Sequence, residues 1–357
     1  MYKFISVKTK EDKKLFLSLP SKLYKKDCPQ DYRCEQQLLD GTHILSQDFK
    51  FAPYVVTNDS GEVLCRCAVT YYPKSKTAYI GFFESINDIA PVRYMFQHIK
   101  RHIFGHGCRE MVGPIDASIF INYRFKMDNF NKTYTGEPYN KDYYVEFWEK
   151  CGFKISDTYV SNQLRRVRKT DLDERMAKIH DRCISRGYEI KTPTEETFQK
   201  CLIQVYQLMM KKYSEFTGFH RISGAQFMAM YSNLNRIANY DMIKLAYKDN
   251  ELKGFCVCVP NYGYLTRGKM SINKLMKISR LKQKPTEYVI LYVGVDDSAV
   301  GLSGALIHQI RNELLKNQCT SIGALIKEGN VTGKMYDDLY IKQYKYVLLK
   351  QTFGVNK

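Results

Sequence analysis

The chain has 357 residues, 44% hydrophobic and 26% charged, with a formal charge of +18. This composition excludes disordered and fibrous classes, and the length favours two domains of roughly 150 residues over one. The charge favours anionic partners such as nucleic acid, phosphorylated cofactors or acidic lipid headgroups, although a lysine-rich composition gives the same value with no site attached.

The first residues, "MYKFISVKTKEDKK", contain no long apolar run. No segment approaches the roughly 18 apolar residues of a membrane span. A soluble, cytoplasmic protein is expected. The 11 cysteines are an odd number and none has CxxC spacing, so reduced thiols are expected rather than a zinc ribbon.

In chain order, "EVLCRCAVTYY" (62–72) and "AYIGFFES" (78–85) read as strands. "IAPVRYMFQHIKRHIFGHG" carries Val92, Met95, Phe96, Ile99 and Ile103 at helical spacing, with Gly105 and Gly107 as the stop. "REMVGPI" reads as a buried strand, and "YNKDYYVEFWEKCGF" (139–153) as a helix ending at Gly152. The charged stretch 165–187 reads as a linker with a helix. A second helix is expected over 195–216, with Thr194 as N-cap. Then come strands at 250–260 and 287–295, a helix from Ser303 to Gln318, a strand "TSIGALI", and a helix running into a last strand over 334–351.

The two halves repeat this order. "QHIKRHIFGHGC" parallels "HQIRNELLKNQC", with nine residues from Ile99 to Cys108 and nine from Ile310 to Cys319. Each half also has a CxC strand upstream, Cys65/Cys67 and Cys256/Cys258. The pattern suggests a duplicated α/β unit: residues 1–168, a linker at 169–187, and residues 188–357.

The segment "YVILYVGVDDSAVGLSGAL" (288–306) joins an apolar strand to a helix through a loop of small residues. Helix N-termini carry unpaired amides and a positive dipole end, and small side chains leave them open to an anion. The loop matches neither G-x-x-x-x-G-K-[ST] nor G-x-G-x-x-G. Gly294 inside the strand suggests a bulge or a close approach.

This loop resembles the Q/R-x-x-G-x-G/A loop of the GCN5-related N-acetyltransferase (GNAT) superfamily, with Ser298 at the usual Gln or Arg position and Ser303 at the last small one. The blocks "FLSLPSKLYKKDCPQDY", "AYIGFFES", "REMVGPIDASIFIN", "EPYNKDYYVEFWEKCGF", "GFCVCVPNYG", "YVGVDDSAVGLSGAL" and "IKEGNVTGKMYDDL" follow in that order. As a set they are similar to the tandem-GNAT N-acyltransferases of bacteria. The resemblance implies an α/β (α+β) fold of two GNAT-like units, each a mixed, mostly antiparallel sheet flanked by helices. It implies transfer of an acyl group from acyl-coenzyme A to a small-molecule amine held between the units, with coenzyme A as co-substrate and no metal.

Under this resemblance the amides of Val293, Gly294 and Val295 would face the oxyanion. Ser298, Ala299, Val300, Gly301, Leu302, Ser303 and Gly304 would hold the pyrophosphate, and Asn330 would touch the coenzyme. Glu328 or Asp296 would act as base. Tyr336 would act as acid, although it stands six rather than seven residues after Asn330. The first unit's turn "SINDIAPV" (85–92) lacks a glycine, so this unit reads as the wall of the acceptor pocket. Glu84, Asn122, Tyr139, Asn140 and Tyr143 are its expected polar lining.

Three other readings stand beside these. A Fem-like transferase using aminoacyl-tRNA would employ the basic stretches 164–169 and 267–284 on RNA phosphates. A non-catalytic RNA-binding protein lacks a supporting motif. A basic surface would also suit peripheral membrane contact. His98, His102 and His106 are four apart, but the glycines among them break the helix, and no metal site is expected.

Overall fold

The computed structural model describes residues 1–24, 32–172, 174–329 and 338–353. The first half contributes strands β1 (Lys3–Ser6), β2 (Lys50–Thr57), β3 (Val63–Tyr71), β4 (Thr77–Ser85), β5 (Glu110–Gly113), β6 (Phe125–Lys126) and β7 (Lys154–Leu164). The second half contributes β8 (Glu189–Lys191), β9 (Ile243–Lys248), β10 (Glu251–Pro260), β11 (Glu287–Val295), β12 (Thr320–Lys327) and β13 (Tyr340–Thr352). The helices are α1 (Lys10–Leu23), α2 (Arg33–Asp40), α3 (Ile89–Gly105), α4 (Tyr144–Lys150), α5 (Glu174–Ser185), α6 (Phe198–Lys212), α7 (Gly224–Tyr231), α8 (Ile272–Gln283) and α9 (Leu302–Asn317).

All strands join one sheet in the order β1-β2-β3-β4-β5-β13-β7-β12-β11-β10-β9-β8, with β6 against β13. Among the described residues only β4·β5 and β11·β12 are parallel. Each of those pairs is bridged by a helix, α3 or α9, so the unit suggested by the sequence repeat is present twice. Cys108 and Cys319 hold matching places, just before β5 and β12.

The last strand of each half crosses over. β13 lies between β5 and β7 of the first half, and β7 pairs with β12 of the second. The hydrogen bonding of both strands crosses the division expected from the sequence between residues 1–168 and 188–357.

Period-two alternation explains the core. On β3, Cys65, Cys67 and Val69 face α3 and the buried Trp148, while Ala68 joins the opposite face. On β11, Tyr288 and Ile290 face α9, while Val289 faces the other way. That opposite face is shared by both halves and includes Ile115, Tyr159, Phe198, Val289 and Tyr346.

Some boundaries differ from expectation. The helix read over 139–153 is only Tyr144–Lys150, because residues up to Asp142 are used as wall and turn. The helix read from 195 begins at Phe198. Its N-cap is Thr197, which makes no capping bond, and the Thr194 hydroxyl accepts from the Thr197 amide at 3.3 Å instead. Residues 334–337 of the last predicted helix lie outside the described residues, and from Tyr340 the chain is strand.

Candidate active site

The parallel ladder between β11 and β12 is short: Glu287–Ile290 pairs with Thr320–Gly323 and then stops. Two irregularities end it. On β11, Leu291 is an extra residue opposite the Val257/Cys258 step of β10. On β12, Leu325 takes a left-handed φ of 52°, and its amide donates to Ser161 Oγ at 2.9 Å. The strands diverge, and the gap becomes a cavity of about 220 Å³. Ile290–Val293 form one wall and Gly323–Lys327 the other. Ile119–Arg124 of the first half and Met209, Tyr213, Phe216 and Tyr231 close it.

The backbone of β11 past the bulge is polar toward this cavity. Asp296 donates its amide to the Lys253 carbonyl at 2.8 Å. Alternation in an antiparallel pair then assigns Gly294 to a hydrogen-bonded pair with Phe255 and leaves the amides of Val293 and Val295 pointing away from β10, toward the opening. The glycine at 294 has a packing cause: a Cβ there would lie 2.6 Å from the Phe255 ring. The close approach expected at Gly294 is therefore Phe255, and its amide is spent in the ladder.

The loop that follows ends in α9, whose N-cap is Gly301 at φ 88°, with no side-chain cap. Ser298 and Ala299 donate their amides to Asp296, at Oδ1 and at the carbonyl, and Leu302 donates to the Ala299 carbonyl. The amides of Val300, Gly301, Ser303 and Gly304 have no partner among the described residues. Val300 and Gly301 are exposed. The first-half counterpart differs: Asp88 caps α3 through the Ala90 amide at 2.9 Å, placing a carboxylate where the second half leaves donors open. Gly304 is small for another reason, since a Cβ there would sit 3.3 Å from Ile179 of α5.

The first half's own strand divergence is filled. The Ile115 amide donates to the Ile80 carbonyl at 2.8 Å, and a Cβ on Gly81 would fall 2.1 Å from the Ile115 oxygen. Beside this plug lies a second cavity of about 300 Å³, sharing Ile121, Asn122, Arg124 and Gly136 with the first. Its walls are charged. Arg66 binds Glu35 through both terminal nitrogens, at 2.7 and 3.2 Å. Lys126 pairs with Glu137 at 2.8 Å. Glu84 accepts from the Tyr24 and Tyr144 hydroxyls at 2.8 and 2.5 Å, and burial pushes its carboxyl up to about 7. Asp116 accepts from the Phe82 amide at 2.5 Å and from Asn122 Nδ2 at 2.8 Å. Burial raises it to about 6 despite these bonds.

The structure thus brings Glu84, Asn122, Tyr139 and Asn140 around one cavity. Tyr143 is elsewhere, donating to the Ser85 carbonyl at 2.8 Å. Asn140 has a framework role: it bridges both backbone groups of Lys126.

Neither expected base holds a base's place. The Lys211 ammonium at 2.7 Å, then the Ser298 hydroxyl and amide, hold Asp296 well below the usual carboxylate range. Asp296 therefore builds the turn, and the Ser298 hydroxyl is spent on it. Glu328 is exposed, beyond Lys327, which is the last wall residue of β12. Asn330 and Tyr336 lie outside the described residues.

Sequence reasoning missed Asp116 and Arg124. Asp116 lies inside the quoted "REMVGPIDASIFIN" block and Arg124 two residues after it, and a carboxylate and a guanidinium in a loop beside a cleft was the available signal. His220 stacks on Tyr72 at 3.5 Å and meets the Tyr79 hydroxyl at 3.2 Å, and burial pushes it down to about 4. It fastens the second half to the first. His98 and His102 pack on Phe4, and His102 also on Tyr54.

No protein-family model matches the sequence, and no curated protein sequence matches it. Solved structures do. A tandem GNAT protein from the clavulanic acid biosynthesis pathway, solved without AcCoA, aligns over 100% of both chains at 11% identity with a TM-score of 0.50. A probable N-acyltransferase from Enterococcus faecalis aligns over 99% of this chain and 73% of its own, at 9% identity and 0.52. A GCN5-related glucosamine N-acetyltransferase region in a fungal multi-domain GH3 β-N-acetylglucosaminidase aligns over 98% of this chain and 38% of its own, at 10% identity and 0.53. These likenesses show the fold to be that of tandem GNAT proteins, as the ordered sequence blocks implied.

Proposed function

We propose that the chain is an N-acyltransferase that moves an acyl group from acyl-coenzyme A to an amine. The observation that carries this reading is the open gap between β11 and β12 leading to a loop whose amides have no partner among the described residues. A diphosphate on the amides of Val300, Gly301, Ser303 and Gly304 would place the thiol arm along the gap. The thioester carbonyl would meet the amides of Val293 and Val295, whose donors gain in strength as negative charge gathers on oxygen. The amine would come from the charged cavity, and Asp116 would take its proton. A panel of acyl-coenzyme A thioesters and amines, read by mass spectrometry, tests the reaction. Absence of any acylated amine would overturn it.

The acyl group we propose is longer than acetyl. Met209, Tyr231 and Tyr292 separate the gap from a second chamber of about 50 Å³, walled by apolar side chains including Leu202, Val205 and Ala238. Each methylene buried there is worth ~0.8 kcal/mol, or about fourfold in kcat/KM. Activity is expected to rise with chain length to a medium-chain optimum. Val205→Phe should shorten that optimum and leave acetyl transfer unchanged. A flat chain-length profile would count against the chamber's role.

The basic surface has one segment suited to an anionic lipid surface. On α8, Ile272, Leu275 and Met276 are 76%, 54% and 58% exposed on one face, and the exposed Arg280 stands one turn after Met276. Ile278 is buried against the protein. Each basic residue near an anionic surface adds ~1 kcal/mol. Sedimentation with phosphatidylglycerol vesicles is expected, sedimentation with phosphatidylcholine vesicles is not, and Leu275→Glu with Met276→Glu should abolish it. Equal sedimentation with both vesicle types would contradict this role.

A further inference from the structure

Three arginines are buried among the described residues. Arg66 pairs with Glu35 and Arg311 with Asp338. Among the described residues Arg124, 4% exposed, has no carboxylate partner, and its Nε has no hydrogen-bond partner. Its guanidinium lies in the corner of two nearly perpendicular rings, 3.6 Å from the centre of Tyr123 and 4.0 Å from that of Tyr159. The groups around it are neutral hydroxyls, those of Tyr134, Tyr159 and Tyr292, and burial lowers its pKa to about 10. Its backbone takes φ 83°, a conformation that non-glycine residues rarely adopt. The two rings cover part of its surface at right angles to each other, and its N–H donors lie in the plane of the guanidinium. Arg124 also lines both cavities, so it stands at their junction.

A buried guanidinium without a counter-charge is costly, and a ligand carboxylate matches its planar donor edge. We propose that Arg124 binds the carboxylate of the acceptor, and that the acceptor is an α-amino acid. This rests on the acyl-transfer reading for its chemistry, but not for the binding itself. In an α-amino acid the nitrogen is two bonds from the carboxylate carbon. A carboxylate fixed at the shared wall therefore delivers the amine to the junction, where the thioester carbonyl would lie. The ammonium would face Asp116 and Glu84, so the zwitterion meets the opposite charge at each end. In the reaction the nitrogen bonds to the carbonyl carbon and the carbon–sulfur bond breaks. The ammonium gives one proton to Asp116, which passes it to solvent; the second leaves the nitrogen as the amide forms and ends on the sulfur, so that coenzyme A departs as the thiol. The product is an N-acyl amino acid.

The test uses the full chain and compares each proteinogenic amino acid with its decarboxylated amine, for example phenylalanine with phenethylamine and leucine with isoamylamine. Calorimetric titration and kcat/KM are both read. At least one amino acid is expected to bind and react at least 50-fold better than its amine. Arg124→Gln should bring that ratio to within about threefold, and Arg124→Lys should restore part of it. Amines that bind as well as amino acids, no amino acid binding at all, or an Arg124→Gln loss equal for both would overturn the proposal. Amino-acid binding that depends on Arg124 but gives no acyl transfer would support the carboxylate site while refuting the reaction. Transfer to amines with no preference for amino acids would do the reverse.

Discussion

Asp116→Asn is expected to lower kcat by at least about 100-fold with little change in KM for the acyl donor. A positioned general base contributes roughly 10²–10⁴-fold, and an amide side chain cannot accept the amine's proton. The amide keeps an oxygen for the Phe82 amide, so that contact should persist and the melting temperature should change little. The pH profile gives the sharper reading. Asp116 must be ionised to accept a proton, and its pKa is raised to about 6, so wild-type activity should rise through pH 6 and then level off. In Asp116→Asn that limb should vanish. Glu84, raised to about 7, is the competing group in the same cavity. A limb near 7 that survives Asp116→Asn and disappears in Glu84→Gln would move the base role to Glu84.

Gly301→Asp is expected to weaken coenzyme A binding at least 30-fold, about 2 kcal/mol, whereas Gly301→Asn should weaken it by less than about fivefold. The two side chains have nearly the same size and both tolerate positive φ better than most, which matters at φ 88°. They differ in charge. A carboxylate about 4 Å from a phosphate costs ~1 kcal/mol in water and ~4 kcal/mol at the effective dielectric near a protein surface. The position is open enough for either, since the nearest atom to a Cβ there is Ile179 Cγ2 at 3.6 Å. Equal losses in the two variants would mean that the loop is sensitive to shape rather than to the ligand's charge.

The second-half unit was readable because its signals are local. A nine-residue apolar strand, an uncapped small-residue loop and an apolar-striped helix all sit within Glu287–Asn317. The ends of that strand were predicted as found. β1, β2, β6, β7, β8, β9, α1, α2, α7 and α8 were not anticipated. Strand β7, "KISDTYVSNQL", has a polar, exposed beginning and gains its place only by pairing with β12 and β13, far away in sequence. The strand exchange between halves has no local signature either.

Glycines misled where packing, not ligand, set their size. Gly294 makes room for Phe255, and Gly304 for Ile179. The carboxylates misled for a related reason. Asp296 stands at a strand end where a base could stand, but Lys211 reaches it from α6, across 85 residues of chain. Arg124 and Asp116 were passed over because their meaning lies in missing or distant partners. A buried guanidinium against Tyr123 and Tyr159, with no carboxylate partner among the described residues, cannot be told from a surface arginine by its letter.

The central claim is that the amides at the start of α9 take the diphosphate of coenzyme A while its thiol arm occupies the β11–β12 gap. Amide hydrogen exchange, followed by mass spectrometry with and without coenzyme A, tests it most directly. Slowed exchange confined to residues 298–305 and 291–295 is the expected result. Unchanged exchange in both segments, with coenzyme A absent from the protein or protecting another surface, would contradict it.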